Sequence, residues 1–94
     1  MAARFATWAR AAAAELSAEA RAERASSARG WFASLAVPAT VRAACTRLIE
    51  AEARDNAADM VAALVAIVTA GKRQLDAPSV AELEGVISSL RARA

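Results

Sequence analysis

The sequence predicts an all-α protein, a small helical bundle of four to five helices. Three observations point there. Thirty of the 94 residues are Ala, with Arg, Glu and Leu prominent among the rest, all good helix formers. The larger apolar residues recur at spacings of three and four, and no stretch sustains a period-two alternation of β-branched residues. Only three Gly and two Pro interrupt the pattern. The expectation is one helical domain over residues 1–94, with an Ala/Arg-rich N-terminal helix over 1–28 and a three-helix core over 38–94.

Each element has its own signal. The first helix is expected from about Ala2 to Ser26, where Phe5, Trp8, Ala9, Ala12, Leu16 and Ala20 fall on one stripe. Ser26, Ser27 and Gly30 predict a break. A short segment, Trp31 to Val37, is dense in large apolar side chains: Trp31, Phe32, Leu35 and Val37. Pro38 biases Val37 away from helix and suits the first turn of the next helix, expected over Pro38–Arg54. Val41, Ala44, Cys45, Leu48 and Ile49 form its core stripe, and Arg47, Glu50 and Arg54 a charged ladder on the outer face. The next helix is expected over Asn56–Ala70, with Asp55 as N-cap and Gly71 as the stop. Its apolar residues surround the axis, which predicts burial on all sides. The last helix opens with Ser79 as N-cap and Glu82 three residues on. It continues with the stripe Val80, Leu83, Val86, Ile87 and Leu90, leaving Gly85 on the other face.

Composition argues against catalysis. The chain has no His, hence no imidazole base or metal ligand. One Cys excludes an internal disulfide and any Cys/His zinc site. Cys45 lies in an apolar stripe, where a thiol is expected to be inert. The carboxylate pairs Glu15/Glu19, Glu19/Glu23 and Asp55/Asp59 each share a helix face but lack further ligands, so they predict solvated surface. Gly71-Lys72-Arg73 lacks the flanking residues of a phosphate loop. No enzyme activity, metal or cofactor is expected.

Charge is mildly positive, a net +2, and eleven of the twelve cations are Arg. On a continuous first helix, Arg10, Arg21 and Arg24 fall within about 60° of one another on the face away from Phe5. Glu15, Glu19 and Glu23 lie on the opposing flank. Segregated signs predict two different neighbours, and phosphates would suit the arginine face. The nucleic-acid-backbone candidates are therefore Arg10, Arg21 and Arg24, then Lys72 and Arg73, the latter two also placed to offset a helix dipole. Trp31 and Phe32 are the candidate protein-interface anchors. A helix-turn-helix reader is excluded by the long Gly71–Ser79 connection and by Glu82 and Glu84 near the start of the would-be recognition helix.

The Ala- and Arg-rich N-terminus resembles a mitochondrial transit peptide, but Glu15, Glu19 and Glu23 count against it. No apolar run reaches the ~18 residues that would span a bilayer. The expectation is a cytoplasmic protein without membrane insertion, a single Cys fitting a reducing compartment. A chain this short buries only about 60–65% of its surface; a helical monomer stays open, and a subunit that completes its core on a larger protein complex, or a homo-oligomer, is expected at least as much. In being short, all-helical, mildly basic and free of catalytic residues, the chain resembles the small subunits of CRISPR effector complexes. That resemblance is one of build, with no motif behind it. It implies a non-catalytic accessory subunit of a nucleoprotein assembly, touching RNA or DNA backbone through Arg. Two alternatives stand beside it: a protein-binding adaptor or inhibitor of phage or mobile-element type, and an accessory subunit of a membrane or organellar complex.

Overall fold

The computed structural model describes residues 7–11, 16–33, 38–70 and 75–93. It is an all-α bundle. After a helical turn at residues 7–10 come α1 (Ala18–Ala33), α2 (Ala39–Ala53), α3 (Ala57–Ala70) and α4 (Ala77–Arg93). No strand occurs among the described residues. Neighbours in sequence are neighbours in space. The α2–α3 pair packs most extensively, with α1 against α2 and α4 against α3.

The core follows the periodicity of the sequence. α2 buries Val41, Ala44, Cys45, Leu48 and Ile49; α3 buries Met60, Ala63, Leu64 and Ile67; α4 buries Leu83, Val86, Ile87 and Leu90. Leu64 is 0% exposed and Ile67 2%. Among the described side chains, α1 adds Ala25 and Ala28 to the buried apolar set and the N-terminal turn adds Ala9, with Trp8 and Trp31 packed against them in part. Alanines on that side let the backbones approach closely, but they contribute little apolar area.

Four local expectations are corrected. First, the break in the N-terminal region falls at Ser17, not at Ser26–Gly30. The Ser17 hydroxyl accepts the Ala20 N–H at 3.1 Å and caps α1. α1 then runs straight through Ser26, Ser27 and Gly30, all exposed, and a side chain at Gly30 would meet nothing within 4 Å. Trp31 therefore ends α1 instead of opening a separate segment; residues 34–37 lie outside the described residues.

Second, Asp55 terminates α2 rather than capping α3. It adopts the left-handed conformation at φ 52°. Its N–H donates to the Glu52 carbonyl and that of Asn56 to the Ala51 carbonyl, both at 3.0 Å, a Schellman motif. Asn56 is the cap of α3, its side-chain oxygen accepting the Asp59 N–H at 3.0 Å. Third, α4 starts earlier, with Asp76 as cap: Asp76 Oδ1 accepts the Ser79 N–H at 3.3 Å. Pro78 is tolerated because first-turn N–H groups have no intrahelical acceptor. Fourth, α3 is not covered on all sides. Ala58, Ala62, Val65 and Thr69 form an exposed, uncharged strip, with Val65 38% exposed.

Candidate functional site

The three arginines expected to line a phosphate track do not form one. Arg21 is only 5% exposed. Its Nη2 lies 3.0 Å from Asp55 Oδ1, which also receives Arg93 Nη2 at 2.9 Å. Arg24 Nε donates to Glu52 Oε1 at 2.8 Å, and its Nη2 donates to the Trp8 carbonyl at 2.7 Å. The same guanidinium lies 4.4 Å from the centre of the Trp8 ring, in cation–π geometry. Arg10 pairs with Glu82 of α4 across an exposed surface.

The physical reason is a reset of helical phase. A single helix from Ala2 to Ser26 would carry Arg21 opposite Phe5. A helix that begins afresh at Ala18 has its own phase, and α1 buries Arg21, Ala25 and Ala28 at i, i+4 and i+7. Arg21 and Arg24 thus face the end of α2 and become the polar joint between α1, the α2–α3 turn and the end of α4.

This joint is strained electrostatically. Glu52 is 0% exposed. Burial pushes its carboxyl above the usual glutamate range, and the nearby Arg24 and Arg21 guanidinium groups pull in the opposite direction without cancelling the effect. Glu52 Oε2 and Arg21 Nη1 are buried without a hydrogen-bond partner among the described residues. Such an incompletely satisfied cluster is a weak source of net stability, yet removing one member leaves a buried charge unpaired.

The remaining candidates are placed as follows. Trp31 is half-buried and packs against the core, so it is not the exposed anchor expected of it. The side chain of Phe32, and Lys72 and Arg73 altogether, lie outside the described residues. Arg54 pairs with Asp59 at 3.4 Å across the α2–α3 turn, so the Arg47–Glu50–Arg54 ladder does not form as drawn. Burial pushes the Cys45 thiol up to about 11, which keeps it protonated and unreactive. Among the described residues, no group of three or more His, Cys, Asp or Glu side chains could hold a metal ion, and no helix is long and apolar enough to cross a membrane.

What the fold does open is a groove of about 370 Å³ between α3 and α4. Val65, Val68 and Ile87 supply its apolar part; Glu84, Ser88 and Arg91 supply its polar rim. Glu84 and Arg91 are exposed, and neither joins an ion pair among the described residues. The sequence carried a signal for this surface. A helix apolar on every side, in a chain with too few large side chains to cover it, must leave one face open.

No protein-family model matches this chain, and neither the curated proteins nor the solved structures contain a match.

Proposed function

We propose that this chain is a non-catalytic, all-α accessory subunit that works by binding another protein through the α3–α4 face. One observation carries the proposal: the uncharged strip Ala58, Ala62, Val65 and Thr69 stays exposed, while Arg21 and Arg24 are engaged inside the fold. Burying a valine-centred strip against a partner removes apolar area from water, at about 25 cal/mol per Å². The adaptor alternative thereby moves ahead of the nucleic-acid one, whose three first-choice arginines already have carboxylate partners.

The test is retention of host proteins by the full chain and by Val65→Asp, with a salt series and nuclease treatment. Val65 is 38% exposed, so the variant is expected to remain folded at a cost of about 1 kcal/mol. The expected result is loss of partner retention with little salt or nuclease dependence. Binding that falls steeply with salt, vanishes with nuclease and ignores Val65→Asp would overturn the proposal. Lys72 and Arg73 would then be the first residues to substitute.

A further inference from the structure

The geometry points to a second copy of this chain as the occupant of the α3–α4 groove, in a two-fold symmetric dimer held by reciprocal Glu84–Arg91 pairs around the exposed Val65 and Ser88. The inference rests on the protein-binding proposal above and names its partner.

Glu84 and Arg91 stand seven residues apart on one flank of α4, two turns or roughly 10 Å along the axis. Both line the groove, both are exposed, and both are without an ion-pair partner among the described residues. Ile87 and Ser88 lie midway between them. A two-fold axis passing between Ile87 and Ser88, perpendicular to α4, carries Glu84 onto the position opposite Arg91 of the other copy, and Arg91 onto that opposite Glu84. One surface is thus its own electrostatic complement, as an isologous interface requires. The opposite charges are placed so that each copy supplies half of two identical pairs.

The rest of the face fits the same operation. Between the charges the groove mixes apolar and small polar side chains, with Val65, Val68 and Thr69 from α3 and Ser88 from α4 over the buried Ile87. Ser88 is small enough to let a second α4 approach. The adjacent strip Ala58, Ala62 and Thr69 bears no charge that a like copy would repel. A partner of one sign would meet one of the two rim charges badly; a second copy of the chain, run antiparallel, meets both well.

The experiment is sedimentation equilibrium of the full chain over a concentration series, with four variants. The wild type is expected to show a reversible monomer–dimer equilibrium. Glu84→Arg alone, and Arg91→Glu alone, set like charges opposite each other twice per dimer and are expected to weaken association by about tenfold or more. The double variant carrying Glu84→Arg and Arg91→Glu restores both pairs and is expected to recover the wild-type constant. Val65→Asp is expected to leave a folded monomer, with folding checked by circular dichroism. A wild type that remains monomeric throughout, or a dimer indifferent to the single charge reversals, overturns the inference. In either case, Val65→Asp that still loses retention of a host protein leaves the protein-binding proposal standing with a different occupant. A Val65→Asp variant that stays dimeric and retains host proteins like the wild type removes both.

Discussion

Glu52 is the residue where burial and charge oppose each other most directly. Its carboxyl is fully enclosed, bonded to Arg24 on one oxygen, and its affinity for a proton is raised by desolvation. A carboxyl raised in the folded state binds its proton more tightly there than in the unfolded chain. Its contribution to stability is therefore fully present below the ordinary glutamate value of 4.5 and is lost as pH rises through the higher folded value. Glu52→Gln removes this titration and keeps an oxygen for Arg24. Urea unfolding at a series of pH values is expected to show the variant gaining on the wild type as pH rises. A variant that instead falls behind as pH rises would mean that the ion pair outweighs desolvation. Glu52→Ala has the opposite sign: it strands Arg24 and removes the counter-charge beside Arg21, at an expected cost of about 3–5 kcal/mol. Leu64, wholly enclosed at the centre of α3, is the apolar counterpart. Leu64→Ala is expected to cost about 2–5 kcal/mol in the same unfolding measurement, and a near-unchanged midpoint would mean the core lies elsewhere.

At the scale of elements, helix ends decide most of what is new. Ser17 caps α1, and Ser17→Ala is expected to cost about 1 kcal/mol in thermal unfolding, with no effect on the charges of the joint. The sequence shows why α2, α3 and α4 form: clean apolar stripes on α2 and α4, apolar residues all round α3, a proline before α2 and a short polar turn between α2 and α3. The stripes of α2 and α4 are buried as expected except for Val80, which is half-buried, while α3 buries one face instead of all sides. The caps were harder to see, because Asp55 and Asn56 are both good caps, as are Asp76 and Ser79, and spacing alone does not rank them. The deciding fact at Asp55 is tertiary: Arg21 and Arg93 converge on its carboxylate, which holds it at the end of α2 in a left-handed conformation. The α1 register was the larger miss. Alanine fills every face of the N-terminal region, so periodicity there hardly distinguishes inside from outside, and Ser26, Ser27 and Gly30 imitate a break that exposed helix tolerates. One misplaced break rotated Arg21 and Arg24 from the interior to the surface in the sequence reading. The candidate phosphate face followed from that rotation.

Across the whole molecule, the fold turns polar groups inward at one end and an apolar strip outward on the α3–α4 side. A small chain with few large side chains has little freedom to do otherwise. Among its described side chains α1 buries Ala25 and Ala28 beside the half-buried Trp31, and guanidinium–carboxylate pairs and the Arg24–Trp8 stack add to that contact. α3 has more apolar surface than its two neighbours cover, so Val65 remains for a partner. The role of the arginines is the pivot of this account, because it decides between a phosphate-binding face and a structural joint. Denaturant unfolding of Arg24→Ala tests it most directly. The expected result is a loss of about 3–5 kcal/mol, since the substitution leaves Glu52 buried without its bonded partner. A variant whose unfolding midpoint and slope match the wild type would contradict it, and would return Arg24 to the solvent-facing role that the sequence first suggested.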